Sequence, residues 1–310
     1  MSDQLALLKG RGLLVDNESA ALDYLARIGY YRLSGYWYPL REIDKHASLQ
    51  LKRPVRSDHF VSGSHFEDVV KLDVFDKKLR LMALDALERI EMALRVDVAH
   101  LLGERDPQAH QNPDCLHGNF AKKVRAGGAN KGRTEHQIWL EKYESMLHRA
   151  RREPFIAHHK EKYDGQVPVW VAIEVWDFGL LSRLFDGMKH SDKNQIAKKY
   201  GLAEGKTLAQ WLRSLNFIRN VSAHHSRLWN INVLELSPSP QGWPTMKNTR
   251  PFMYFAIMAH LLRVICPNSS WARRLVVLLN EGVAATNQLL TLEKFGVIEG
   301  WEEWLLQGQK

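Results

Sequence analysis

The stretch Leu215-Asn216-Phe217-Ile218-Arg219-Asn220-Val221-Ser222-Ala223-His224-His225-Ser226-Arg227-Leu228-Trp229-Asn230 sets the terms for the whole 310-residue chain. Upstream of it, Leu208, Trp211, Leu212, Leu215 and Ile218 recur at helical spacing, which predicts a helix with one face on a core. Thr207 with Gln210 has the form of a capping box at its start. After Ile218 the side chains become Arg, Asn, Ser, His, His, Ser and Arg. Burying so many polar groups without partners is costly. The cluster therefore either caps and pins the fold or faces a cleft and carries out chemistry.

Arg219 and His224 lie roughly 140° apart around an ideal helix of 3.6 residues per turn. They converge only if the helix ends or bends between them, and Ser222 and Ala223 are small enough to allow it. Arginine offers a planar fork for phosphate oxygens. Histidine takes or gives a proton near neutral pH. Together they have what metal-independent RNA cleavage needs: a base for the ribose 2′-OH and a cation for the charge that develops on phosphate. Asn220 would orient the pair, and His225 is the second candidate for proton transfer.

The words around this pair carry a resemblance. Arg219-Asn220-x-x-Ala223-His224-His225-x-Arg227-Leu228-Trp229-Asn230 resembles the signature of abortive-infection proteins of the AbiD/AbiF type, within the HEPN superfamily of helical ribonucleases. Gly29-Tyr30-Tyr31-Arg32-Leu33-Ser34-Gly35-Tyr36-Trp37 is similar to the family's amino-terminal signature, and Ala86 to Arg95 to its central helix. Pro168-x-Trp170-x3-Glu174 and Phe178-Gly179-x-Leu181-Ser182 fit as well. The resemblance implies an HEPN-like helical bundle and an endoribonuclease of phage defence or toxin type. It also implies a homodimer, because such enzymes build one composite site from two motifs. A non-catalytic relative that binds a structured non-coding RNA is the alternative it leaves open. Glu91 and Arg95 would then brace the catalytic helix, or else be ordinary paired surface charges.

Composition is compatible with this. The net charge is +8, from 43 basic and 35 acidic side chains, which mildly favours a polyanionic partner such as RNA. Cys115 and Cys266 are two thiols outside any metal spacing, expected reduced in a cytoplasm. Residues 1–17 lack the pattern of a signal peptide. The most apolar run, Phe252 to Cys266, is too short to span a bilayer. No membrane partner, metal or cofactor is expected. Gly-x-Ser-x-Gly, His-Glu-x-x-His and P-loop motifs are absent.

The fold class expected is mostly α: an aromatic-rich amino-terminal lobe over 1–60, a bundle over 61–235 and a helical appendage over 236–310, separate or continuous. Asn17 should cap a helix reaching Arg27, and residues 41–63 suit a loop or hairpin. The aromatics from Tyr30 to Tyr38 should chiefly pack the lobe, with Arg32 bonding backbone carbonyls; the alternative is a stacking platform for unpaired bases. Ser64 with Glu67 predicts the start of a long spine helix ending at Gly103. Lys122, Lys123, Arg125, Lys131 and Arg133, in a Gly-rich segment without acids, form the best basic patch, a phosphate grip or a plain solvated loop. Arg32 and Arg227 are further candidate RNA-binding cations. Later helices are predicted at 134–152, 155–163, 169–178, 180–185, 192–200, 252–265, 271–280, 288–292 and 301–306.

Overall fold

The computed structural model describes residues 1–163, 165–286 and 291–307. Among them the chain is mostly α, with sixteen α-helices and one two-stranded sheet. Three short helices come first: α1 (Ser2–Gly10), α2 (Glu18–Ile28) and α3 (Tyr30–Trp37). Asn17 caps α2, its side chain accepting the Ala20 amide. β1 (Arg41–Ile43) and β2 (Arg56–Phe60) pair antiparallel, Arg41 opposite Phe60, with α4 (Lys45–Leu51) between them.

The spine is α5 (Phe66–Arg105), about 60 Å long at 1.5 Å per residue. Val69, Leu72, Leu79, Ala83, Ala86, Ile90, Leu94, Val98 and Leu102 are buried at three- and four-residue spacing along it. Next in the chain are α6 (Gly118–Ala121), α7 (Glu135–Arg149), α8 (Pro154–Lys162), α9 (Val169–Ala172), α10 (Phe178–Gly187), α11 (His190–Lys199) and α12 (Gly205–Ala223). The last helices are α13 (Pro251–Ile265), α14 (Trp271–Ala285), α15 (Leu292–Phe295) and α16 (Trp301–Leu306). α3, α9, α12, α13 and α14 all pack on α5. α13 is apolar around its whole circumference, and Phe252 to Met258 are fully buried, as a central core helix requires. One contiguous core runs from Leu5 to Leu305.

Tertiary contacts override several local signals. Thr134 and Gln137 do form a capping box. Ser64 and Glu67 do not: Glu67 instead accepts the amides of Asp16 and Asn17 at 3.1 and 3.2 Å, tying the amino-terminal lobe to the spine. α12 starts before Thr207, because the Asn194 side chain on α11 accepts the Gly205 amide at 2.8 Å. Gly205 permits that approach, since a Cβ there would fall 2.3 Å from the Lys193 Cβ. The single helix expected over 169–178 is α9, a 3-10 turn at Ile173–Val175, and a break at Trp176. The break exists because the Trp176 carbonyl accepts from Arg95 and Asp177 caps α10. Most of the helix expected over 288–292 lies outside the described residues.

The aromatic run packs the lobe: Tyr36 and Trp37 are buried, while Tyr31 is 89% exposed. The Tyr36 hydroxyl donates to Asp76 on α5 at 2.8 Å. Asp76 is fully buried and also accepts from Arg80, from the Leu228 amide (3.0 Å) and from the Trp229 amide (2.7 Å). Burial pushes its carboxyl above the usual range, opposed first by the Arg80 guanidinium and then by the Tyr36 hydroxyl and the two amides. Removing one partner of a buried pair leaves an uncompensated charge. Asp76→Ala is therefore expected to lower the unfolding free energy by about 3–5 kcal/mol. Chemical denaturation checks this, and a loss below about 1 kcal/mol, the scale of an ordinary hydrogen bond, would remove Asp76 from its central place.

Candidate functional site

α12 lies on α5, with α10, α11 and α13 against its other sides. Leu208, Trp211, Leu212, Leu215 and Ile218 are buried on its core face, as their spacing predicts. The helix runs unbroken to Ala223, with His224 at the C-cap position. The Ser226 amide returns to the Val221 carbonyl at 2.9 Å, and the His225 amide to Ser222 at 3.2 Å. These two bonds make a Schellman motif, which needs a left-handed residue after the cap. That residue is His225, at φ +58°.

The loop after α12 is clamped from three directions. Arg32 Nη1 donates to the His225 carbonyl at 2.7 Å, and its Nε lies 3.8 Å from Asp73. Arg227 donates to the Gly35 carbonyl. A Cβ at Gly35 would fall 2.9 Å from that guanidinium, so glycine is what lets α3 approach. Asp76 takes the next two amides. Arg32 and Arg227 are thus engaged with backbone carbonyls. The side chains of His224 and His225 are exposed and make no hydrogen bond or ion pair among the described residues.

One turn back, Arg219 and Asn220 are half-buried, and Arg219 Nη1 donates to Asn220 Oδ1 at 3.3 Å. Beside them on α5, Arg95 donates to Glu91 and to the Trp176 carbonyl, each at 2.6 Å, with Glu174 3.5 Å away. Burial raises the Glu91 carboxyl, opposed by Arg95 and then by Arg219. α12 continues without interruption from Arg219 to Ala223 and His224 follows as its C-cap, so by ideal geometry the two residues leave the helix roughly 140° apart. Among the described residues no hydrogen bond joins them.

The three sequence words lie along α12 and the loop after it without converging on one point: the amino-terminal signature, through Arg32 and Gly35, meets residues 225 and 227, and Glu91 of the spine lies near Arg219. A family model described as Abi-like protein (Abi_2) matches residues 23–230, which includes all three. The chain belongs to the Abi-like protein family. That membership points to abortive infection, a form of phage defence. No curated protein and no solved structure gives a match.

In this Abi-like protein the basic segment is a small hairpin. The Arg125 amide reaches the Arg133 carbonyl at 2.9 Å, and the Gly132 amide reaches Arg125 at 3.0 Å. Lys122 pairs with Asp114 at 2.7 Å, Arg125 with Glu135 at 3.3 Å, and Arg133 with Glu141. Lys123 and Lys131 are exposed and have no ion pair among the described residues. Asp16, His65 and Glu67 have ligand atoms within 4.8 Å of one another and could share a cation. Each is already in use, His65 on the Asp16 carboxylate and Glu67 on two amides. No helix among the described residues is long and apolar enough to cross a membrane.

Sequence inspection missed Asp76 and Arg80. The available signal was position: Asp76 falls between Leu72 and Leu79 on the apolar stripe of α5, where a charge must have partners. His225 is equally testable. A left-handed backbone costs a side-chain-bearing residue about 1–2 kcal/mol. His225→Gly should therefore hold or raise stability, whereas the β-branched His225→Val should lose about 1 kcal/mol or more. Denaturation curves of the two variants decide it; a more stable valine variant would contradict the left-handed turn.

Proposed function

We propose that this Abi-like protein is a metal-independent endoribonuclease of abortive infection or toxin type, of the HEPN kind, acting in the cytoplasm on single-stranded RNA. The observation that carries this is the end of α12. His224 stands exposed on a backbone locked by the Asp76, Arg32 and Arg227 bonds. His224 takes the proton of a ribose 2′-OH, and the freed oxygen attacks the adjacent phosphorus. Arg219 holds the phosphate and its developing charge, and Asn220 orients Arg219. The 5′-oxygen leaves with a proton from a second acid, for which His225 or the partner's copy of this helix end is the candidate. The product is a cyclic phosphate and a 5′-hydroxyl.

The uninterrupted run of α12 to Ala223 favours a homodimer. One copy keeps Arg219 and His224 on diverging directions, so two copies facing each other supply a complete set. The test is cleavage of unpaired RNAs in EDTA. The parent should cut and leave cyclic phosphate ends. His224→Ala and Arg219→Ala, shown to be folded, should each be slower by about 10²–10⁴-fold. Equal rates in parent and variants would sink the proposal.

A non-catalytic RNA-binding protein is the second reading, and the exposed Lys123 and Lys131 on the basic hairpin favour it. Here replacing Lys122, Lys123 and Arg125 by serine weakens RNA binding and flattens its salt slope, by about 0.7 per phosphate contact on single strands. His224→Ala leaves binding intact. Unchanged binding and salt slope in the serine variant would exclude the hairpin as the RNA grip.

A further inference from the structure

A second polar cavity, of about 550 Å³, opens where α6, α10, α11 and α12 meet. That volume lies within the range of about 300–1,000 Å³ of small-molecule pockets. Its walls carry Lys193, Arg183 and Arg213 against the carboxylates of Glu135 and Asp186. Lys193 is only 6% exposed, an unusual place for an ammonium group. It donates to the Asp186 carbonyl at 2.8 Å, while the Asp186 carboxylate stands 3.9 Å away. The ammonium therefore has donors beyond that one bond. Burial lowers its affinity for a proton, opposed by Asp186 and reinforced by Arg213.

Two imidazoles, His117 and His190, line the same cavity with ring centres 4.6 Å apart. His117 Nδ1 accepts the Asn119 amide at 3.2 Å, which leaves Nε2 as its protonated nitrogen. Burial holds His117 below the ordinary imidazole value, with His190 and Lys193 adding to the effect. Among the described residues no third His, Cys, Asp or Glu joins this pair at metal-sharing distance.

Ser182 supplies an independent sign. The residue is 3% exposed, it lines the cavity, and its hydroxyl has no hydrogen-bond partner among the described residues. A buried hydroxyl without a partner is rare and calls for an explanation such as a ligand. An apolar wall is present as well. Phe120 lies against Gly187, where a Cβ would fall 2.5 Å from its ring. Cations, a free hydroxyl and an aromatic wall in one cavity match a ligand that has a phosphate, a sugar and a base.

We infer that this cavity binds a nucleoside monophosphate, either as the free mononucleotide or as the phosphorylated end of an RNA. Lys193, Arg213 and Arg183 take the phosphate through charge-assisted hydrogen bonds. Arg213 and Arg183 now sit in half-exposed pairs with Asp186 and Glu135, and such solvated pairs are weak enough to exchange for a dianion. Ser182 bonds the sugar or base, and Phe120 borders the base. The basic hairpin joins the rim, since Glu135 also pairs with Arg125. The RNA-end source extends the ribonuclease proposal, but the cavity does not depend on cleavage.

The test uses the full chain with His224→Ala, so that RNA stays intact. AMP, UMP and an RNA pentamer with 5′-phosphate, 3′-phosphate or only hydroxyl ends are titrated by calorimetry at low salt. A free-mononucleotide site binds AMP or UMP. An RNA-end site binds one phosphorylated pentamer at least tenfold tighter than the hydroxyl form. In either case Arg213→Gln and Lys193→Met should weaken binding at least tenfold. Arg213 is exposed enough for its variant to fold even if the buried Lys193→Met does not. The inference is overturned if no mononucleotide binds and all pentamers bind alike, or if Arg213→Gln binds as the parent does. Cleavage by the unmodified protein is scored separately. Its absence sinks the ribonuclease and leaves the cavity, while cleavage without phosphate discrimination sinks only the cavity.

Discussion

One buried carboxylate governs the geometry of this protein. The chain leaves α12 into a segment without regular structure that nevertheless runs through the core, where Leu228 and Trp229 are fully buried. Backbone amides in such a place must find acceptors inside the protein. Asp76 supplies them both from the middle of the spine helix. The remaining capacity of its oxygens goes to Arg80 and to the Tyr36 hydroxyl. A buried ion pair is not by itself a strong source of stability, because desolvation offsets much of the attraction. What Asp76 contributes is specificity: only one path of the loop satisfies every donor.

The same loop joins three stretches that are distant in the sequence. Arg32 and Gly35 come from α3, Asp76 and Arg80 from α5, and His224 to Trp229 from the end of α12. Arg32, Arg80 and Asp76 close on backbone atoms of the loop, whereas the Arg227 side chain reaches out of the loop to the Gly35 carbonyl. The side chains of His224 and His225 take no part in the clamp. His225 shows the division clearly: its φ of +58° and its carbonyl serve the fold, whereas its ring is exposed.

Much of this was legible in the sequence, and the exceptions share one cause. The spine, the core face of α12 and the caps of Asn17 and Thr134 follow from residues near each other in the chain. The capping boxes at Ser64 and Thr207 looked equally sound, yet Glu67 and Gly205 take partners from other elements. The turn at Trp176 depends on Arg95, far away in sequence. The place of Asp76 on the apolar stripe shows that it needs partners, but nothing in its neighbourhood reveals that they are the amides of residues 228 and 229. In the candidate site, Arg219, Asn220 and His224 could be found by their chemistry. That Arg32 bonds a backbone carbonyl was expected, but that the carbonyl is that of His225, and that Arg227 holds Gly35, could be seen only once α3 and the loop were in contact.

The uninterrupted course of α12 decides how its end presents side chains. A bend at Ser222 or Ala223 would have let Arg219 and His224 meet within one chain. Instead Ser222 is buried and helical, and the Schellman turn begins only beyond Ala223. By ideal helix geometry the two side chains then leave the end of α12 in different directions. Rigid presentation is what an active constellation requires, because small displacements of a reacting group are costly in rate. The bonds that fix the loop therefore do more than finish a helix. They fix the direction in which the backbone presents His224.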